Sequence, residues 1–540
     1  MDLINCKKFL LYVVIALFTS LGFSCKQEEQ TQLQKGPNII YIMADDLTIQ
    51  AISAYGGIYK DIAPTPNIDR IAEGGMLFHR MLCTNAICGP SRAAILTGDY
   101  SNVNGYYKNE SGGKFDSSKW TFPQAFQKAS YESALFGKWH LGSRPMGFDT
   151  FKYHNSVVQQ GAYWDPVYNE NGRDVKQRGY ATNLTTGFAL EWLDKQKNSA
   201  RPFLMLLQYK APHRPWRPDQ KYEHLWDSIE MPYPKTFNDL YKGREETAGD
   251  TEMTMDYLTR GDLKFKTPDT LKGEEKIAWE FYGAGKEEIV QPEKMTYQEG
   301  RRWRYQKFIK DYLACVRSID DNIGKLLDYL ESTKRSENTI IILTSDQGFY
   351  LGEHGFFDKR FIYEESLTMP FLVKYPGHIK PGSQNGNIIS NIDIAPTLME
   401  LANIKEDHKM QGRSFAQLLK GENPKSWKNE HYYHYYEFPF WHHVQPHFGI
   451  RTQRYTLAHF YYNMDKWELY DLQNDPEQIK NLVGNPAYKD VLVDLKKQLS
   501  LLQQKYDPNN DLDDYRRITE KNFGVISDKK ENVYSRNYME

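Results

Sequence analysis

The run Cys88-Gly89-Pro90-Ser91-Arg92-Ala93-Ala94-Ile95-Leu96-Thr97-Gly98 sets a thiol, a turn and a guanidinium where a helix begins. Pro90 suits a first helical turn, Ser91 serves the turn, Ala93 to Leu96 propagate the helix and Gly98 ends it. Such a start turns unpaired N–H groups and the positive end of the peptide dipoles toward an anion, so the stretch reads as a nucleophile site. A second group of residues is rich in oxygen. Asp45 and Asp46 follow the apolar run Asn38-Ile39-Ile40-Tyr41-Ile42-Met43, and Asp346 and Gln347 follow Thr339-Ile340-Ile341-Ile342-Leu343. Oxygen donors at two strand ends suit a hard cation, with calcium the favoured ion. Lysine, histidine and arginine gather in three compact motifs: Gly137-Lys138-Trp139-His140, Lys210-Ala211-Pro212-His213-Arg214-Pro215, and Gly352-Glu353-His354-Gly355-Phe356-Phe357-Asp358-Lys359-Arg360.

These groups need a scaffold that brings strand ends together. The short, near-continuous apolar runs suit buried parallel strands, and ligand sites gather at the carboxyl ends of such strands. A further run is Phe203-Leu204-Met205-Leu206-Leu207. Helical patterns separate the runs at Asn67 to Glu73, Phe122 to Lys128, Thr185 to Lys195 and Trp303 to Leu330, the last with Ile319, Ile323, Leu326, Leu327 and Leu330 at helical spacing. Alternating strands and helices predict an α/β fold with a large sheet flanked by helices. Between about 215 and 300 the chain turns polar and reads as an insertion, either carrying substrate-facing loops or making a passive surface excursion. From 427 onward short antiparallel strands and a helix near 489 to 504 predict a smaller α+β subdomain, with a charged tail after 506 lying loosely on the surface.

The formal net charge of −2 argues against non-specific binding to nucleic acid, so an anionic substrate must meet a local basic cluster. Residues 1–24 read as an export signal of the lipoprotein type: Lys7 and Lys8 precede an apolar run too short for a membrane span, and Gly22-Phe23-Ser24-Cys25 resembles a lipobox. Cleavage before Cys25 and lipidation of its thiol would leave a polar tether over 25–35, a domain over 36–426 and the subdomain and tail over 427–540. The expected place is the cell envelope, periplasmic or on the outer surface, with the membrane touched only through the lipid anchor. With Cys88 read as the nucleophile, Cys83 and Cys315 then remain, which is too few for a disulfide framework, and Cys315 sits in a helical pattern that suits the core.

The complete Cys-x-Pro-Ser-Arg run with its following Thr-Gly resembles the signature of the type I sulfatases. That resemblance implies an alkaline-phosphatase-like mixed sheet and oxidation of Cys88 to formylglycine by a maturation enzyme. One hydroxyl of the hydrated aldehyde attacks sulfur and the other helps to expel sulfate. It implies one divalent cation, calcium, held by Asp45, Asp46, Asp346, Gln347 and the converted Cys88. Gln347 stands where many relatives have asparagine or histidine, and it still offers an oxygen. Arg92 and Lys138 are implied to hold the formylglycine, His140 its oxygen, and Lys359 the sulfate, with the general acid either His213 or His354. The motifs from Gln208 to Arg214 and Asp346 to Arg360, and His434-Tyr435-Tyr436-Glu437-Phe438-Pro439, look most like bacterial N-acetylglucosamine-6-sulfatases acting on glycosaminoglycan or mucin glycans. Asp358, Arg360 and His442 are the candidates for gripping the sugar. The alternatives are a sulfatase of algal polysaccharides such as ulvan or carrageenan, a phosphatase or phosphonate hydrolase of the same superfamily, and a glycan-binding lipoprotein without turnover. The last predicts loss of a catalytic position, and every expected position is present.

Overall fold

The structure is a computed structural model that describes residues 36–109, 114–156, 159–265, 267–272, 295–405, 408–439 and 442–523. The export signal, the tether and Cys25 lie outside these residues. In chain order the strands are β1 (Asn38–Ala44), β2 (Met76–Leu82), β3 (Glu132–Gly137), β4 (Thr150–His154), β5 (Val167–Glu170), β6 (Arg173–Lys176), β7 (Phe203–Tyr209), β8 (Thr339–Ser345), β9 (Tyr350–Leu351), β10 (Phe357–Asp358), β11 (Thr368–Lys374), β12 (Ser383–Asn385), β13 (Ile389–Ser390), β14 (Glu430–Tyr435), β15 (His447–Thr452), β16 (Tyr455–Phe460) and β17 (Lys466–Asp471).

Successive residues of β1 face opposite sides, as the pleat requires. Ile39, Tyr41 and Met43 enter one buried cluster, and Ile40, Ile42 and Ala44 enter another. With both faces covered there is no polar face to alternate, which is why the run is continuously apolar. An eleven-stranded sheet results, in the order β12-β2-β11-β8-β1-β7-β3-β4-β5-β6, with β13 beside β2. The strands from β8 to β4 run parallel, while β11 and β5 pair antiparallel with β8 and β4. The sheet is therefore mixed, with the alkaline-phosphatase-like architecture of the resembling family.

Register places the chemistry. Ala44 of β1 lies opposite Tyr209 of β7 and Ser345 of β8, so Asp45, Lys210 and Asp346 emerge together at one carboxyl edge. Gly137, the last residue of β3, pairs with Gln208 and has φ +107°; a Cβ there would meet the Gln208 carbonyl oxygen at 1.8 Å. Only glycine permits that approach, and the Lys138 N–H then donates to the same oxygen at 2.7 Å.

The long helix Tyr297–Ser332 opens with a capping box between Thr296 and Glu299. Its Asp320 accepts hydrogen bonds from the N–H groups of Asn67 and Ile68, at 2.9 and 2.8 Å, at the start of the helix Pro66–Glu73. Tyr312 of the same helix donates its hydroxyl to the Asp46 carbonyl at 2.7 Å and accepts the Thr48 N–H at 3.2 Å. One helix thus braces the turn that carries two of the acidic residues.

The polar stretch after 215 is anchored. Trp216, Trp226, Met231, Phe237 and Met255 are buried in the second cluster, and a bridge joins Thr254 to Phe356. Strands β14 to β17 form a four-stranded antiparallel sheet, covered by the helix Lys489–Tyr506 through Leu495, Leu499, Leu502 and Tyr506. Of the tail expected to lie loosely on the surface, residues 507–523 are packed, and 524–540 lie outside the described residues. Leu512–Phe523 is a helix that buries Tyr515, and Thr519 donates its hydroxyl to the Tyr436 carbonyl at 3.1 Å. Cys83, Cys88 and Cys315 are free and buried. Among the described residues no helix is long and apolar enough to cross a membrane.

Candidate active site

The helix Cys88–Thr97 is buried at every residue and ends at Gly98, whose φ of +72° is left-handed. Cys88 is its first residue, and its Sγ lies 3.8 Å from Asp46 Oδ1. One turn on, Arg92 reaches across the strand ends. Its Nε donates to Asp346 Oδ2 at 2.9 Å, one terminal nitrogen donates to Gln208 Oε1 at 2.9 Å and the Lys138 carbonyl at 3.1 Å, and the other approaches Asp45 Oδ1 at 3.4 Å. Ser91 donates to the Asp346 carbonyl and accepts from Asn391 Nδ2 at 2.8 Å. The helix that begins at Cys88 is thereby pinned to the end of β8.

Lys138 Nζ pairs with Asp45 Oδ2, and Lys359 Nζ donates to Asp46 Oδ1 at 2.6 Å. Gln347 donates its amide to the same Asp46 oxygen. Asp46 Oδ2 and Gln347 Oε1 are buried without a hydrogen-bond partner, and one oxygen each from Asp45, Asp46 and Asp346 lies within 4.8 Å of the others. Buried oxygens without donors, among three carboxylates, fit a divalent cation held by oxygen ligands. Cys88 and His213 come within the same spacing of Asp45, so the thiol borders the acidic cluster.

The electrostatics follow from crowding. Burial first, and Asp45, Asp346 and Asp358 beside it, push the Asp46 carboxyl up to about 7 against the pull of Lys359. Burial also raises Asp346, but Arg92 foremost, with a hydrogen bond from Asp45, outweighs it and holds Asp346 below the usual carboxylate range. Burial pushes the Cys88 thiol well up, against Lys359. His140 and His213 are driven well below the usual histidine value by burial and then by Lys138 and other cations.

The histidines separate in space. His140 places Nε2 2.9 Å from the Gln160 amide nitrogen. His213 commits Nδ1 to the Arg214 carbonyl at 2.8 Å, which leaves Nε2 facing Asp46 Oδ2 at 3.7 Å. His354 is not brought into this cluster. Its Nδ1 bonds Asp239 Oδ2 at 2.8 Å, its Nε2 lies 3.9 Å from Glu365, and Tyr350, Phe356 and Tyr363 surround the ring. Asp239 also pairs with the buried Arg244.

Asp358, Arg360 and His442 do come together. Asp358 pairs with Arg360 through one oxygen and with His442 Nε2 at 3.0 Å through the other, and Lys359 Nζ lies 3.7 Å away. His442 Nδ1 donates to the Glu252 carbonyl at 2.9 Å. Arg214, a member not anticipated from its type, joins them: it is gripped by Asp262 and sets one nitrogen 3.4 Å from His442 Nε2 and 3.9 Å from Asp358. Its place beside His213 was the available signal. Several site residues hold a positive φ, 64° at Asp46, 58° at His140, 77° at Asp358 and 110° at Arg360. Non-glycine residues hold such conformations only where surrounding packing imposes them, and sites are where they cluster.

The sulfatase family model matches residues 37–404, and that of the N-sulphoglucosamine sulphohydrolase C-terminal region matches 352–505. The chain belongs to the sulfatase family, and the protein is a sulfuric ester hydrolase. It is similar to an N-acetylglucosamine-6-O-sulfatase of Bacteroides thetaiotaomicron, 38% identical over 94% of both chains. An ulvan-active sulfatase of Formosa agariphila is 26% identical over 90% of this chain and 85% of its own. A solved structure of a protein in complex with its substrate D-glucosamine-2-N,6-O-disulfate superposes with a TM-score of 0.81 at 40% identity, covering 88% of this chain and 99% of that one.

Proposed function

We propose that this sulfatase hydrolyses 6-O-sulfate esters of N-acetylglucosamine in glycosaminoglycan or mucin glycans, with Cys88 converted to formylglycine and calcium held by Asp45, Asp46, Asp346 and Gln347. The seat of Cys88 carries the reading. A thiol fully buried beside carboxylates, with its pKa driven up, is a poor nucleophile as encoded. A converted residue at the same point lies beside the oxygen cluster and the basic side chains. When present, formylglycine supplies a hydrated aldehyde for attack on sulfur, and calcium supplies positive charge at the reacting oxygens.

The chain's own groups divide the remaining work. Arg92 and Lys138 hold Asp45 and Asp346 in place and border the converted residue, and His140 lies beyond them. Lys359, now on Asp46, offers an ammonium to a sulfate oxygen. His213 is the proton donor to the leaving alkoxide. Its Nδ1–H is committed to a carbonyl, so the delivered proton travels on Nε2, and an arriving sulfate anion opposes the cations that depress its pKa. His354, tied to Asp239, positions the loop that bears Lys359. Asp358, Arg360 and His442 grip the sugar.

The glucosamine relative's identity along nearly the whole chain supports this substrate over ulvan or carrageenan. Likeness to a phosphonate monoester hydrolase, at 21% identity, speaks to the fold alone. We further read 36–426 as the catalytic domain, 427–540 as a subdomain with its tail, and the protein as a cell-envelope lipoprotein anchored through Cys25 and matured by a formylglycine-generating enzyme. Mass spectrometry of the Cys88 tryptic peptide is expected to show the aldehyde in active enzyme; an unmodified thiol there sinks the mechanism. Cleavage is expected on 6-O-sulfo-N-acetylglucosamine and not on ulvan or carrageenan oligosaccharides, and the reverse pattern refutes the substrate.

A further inference from the structure

Lys210 has no part in the roles above, yet it stands one residue beyond β7, at the sheet edge where Asp45 and Asp346 emerge. It is 5% exposed. Other buried cations of the site each have an anion: Lys138 has Asp45, Lys359 has Asp46, Arg92 has Asp346, and Arg360 has Asp358. Among the described residues the Lys210 ammonium has no hydrogen bond or ion pair; its contact is the face of Tyr163, with Nζ 5.2 Å from the ring centre. Tyr163 in turn donates its hydroxyl to the His213 carbonyl, so this wall adjoins the histidine that faces Asp46.

Its electrostatic neighbours are unfavourable. Burial first, then Lys138, lower the Lys210 pKa to about 8, while Asp45, Asp46 and Cys88 oppose them from a distance. Lys210 in its turn helps to depress His140, His154 and His213. A buried ammonium without a counter-ion, among other cations, is costly, and folds keep such groups where a ligand supplies the missing charge.

We propose that Lys210 is a further substrate contact of the sulfatase site, its ammonium taking an oxygen of the ester's sulfate group. It differs from Lys359 and Lys138 in having no carboxylate to leave, so it meets the incoming anion without breaking an ion pair. This rests on the sulfatase activity above but not on the identity of the sugar.

The test uses calcium-loaded, matured enzyme and the variants Lys210→Met and Lys210→Arg. In Lys210→Met, kcat/KM on 6-O-sulfo-N-acetylglucosamine is expected to fall about a hundredfold, the usual loss for one transition-state donor. Its thermal midpoint without sulfate is expected to match or exceed the parent's, because a repelling charge is gone, and the upward shift produced by inorganic sulfate is expected to shrink. Lys210→Arg is expected to recover part of both. Unchanged kcat/KM with an unchanged sulfate shift overturns the proposal, and so does a Lys210→Met protein that is less stable than the parent. If the parent does not cleave this sugar, the substrate reading fails, and the sulfate titration still decides the role of Lys210.

Discussion

Removing the divalent cation is expected to change stability in a way that depends on pH, because the carboxylates that would hold it are crowded. In the cation-free protein Asp46 holds its proton up to about pH 7, where an ordinary aspartate lets go near 3.8. The folded chain therefore binds that proton more tightly than the unfolded chain. The resulting stabilisation is fully present below pH 3.8 and is lost as pH rises through 7, a span of about 4 kcal/mol for one group. A cation has to displace the proton. Between pH 8 and 5.5 its apparent affinity is expected to fall about thirtyfold, about 2 kcal/mol, from Asp46 alone.

The assay is the thermal midpoint with calcium and with chelator, measured at both pH values. Groups remote from the site titrate equally in the two samples, so the difference isolates the cation seat. The calcium-induced shift is expected to be large at pH 8 and much reduced at pH 5.5. Calorimetric titration in buffers of different ionisation enthalpy is expected to show about one proton released per calcium at pH 6. Equal shifts at the two pH values, or no proton release, refute the reasoning about Asp46.

Cys88→Ala is expected to fold with little change in denaturation midpoint, since a small buried group is trimmed by one atom, while turnover on the sulfated sugar disappears. Asp239→Asn leaves the buried Arg244 without its carboxylate and His354 with a weaker partner, and urea titration is expected to show a loss of about 3–5 kcal/mol. His154, His431 and His447 are buried with pKa values depressed mainly by burial to about 3, 3 and 4. The unfolded chain takes up those protons near pH 6.5 and the folded chain refuses them. Calcium-saturated protein is therefore expected to lose stability as pH falls from 6.5 toward 4, by up to about 2 kcal/mol per histidine at pH 5, measured as a drop in the urea midpoint.

The parts of the site that lie at strand ends were legible because their information is local. An apolar run that ends in Asp-Asp or Asp-Gln names both the strand and the edge at which it stops, and parallel register does the rest. The thiol motif was legible for the same reason, as turn and helix residues in one stretch. The roles of the histidines were not. His213 and His354 both sit in short polar loops after strands, and what separates them is Asp239, in a polar stretch without periodicity whose place depends on buried anchors such as Trp226 and Phe237. Arg214 was visible as a residue but not as a member of the Asp358 cluster, since that depends on Asp262 holding it. The helix Leu512–Phe523 was hidden by its charges: Asp513, Asp514, Arg516 and Arg517 outnumber the few residues, Tyr515 and Thr519, that it buries.

The ion pairs of the site also explain how so many carboxylates are buried together. Asp45, Asp46, Asp346 and Asp358 each face a lysine or arginine, and all four acidic residues are almost wholly excluded from water. These contacts orient the acidic side chains before any cation is bound, with Lys359 donating to Asp46 whether or not Asp46 carries its proton, which leaves a cation to meet Asp46 Oδ2 and Gln347 Oε1, the oxygens still without partners. The cost of the arrangement appears in the backbone, where Asp46, His140, Asp358 and Arg360 keep left-handed φ angles. Two of the four are braced from outside the site: Tyr312 holds the Asp46 carbonyl, Ser366 accepts the Arg360 N–H at 2.8 Å, and Tyr433 donates to the Arg360 carbonyl. A long helix, the short helix Glu364–Leu367 and the C-terminal sheet therefore all end on the same few residues. That convergence is the physical reason the main sheet, the long helix and the last sheet have to fold together for the site to exist.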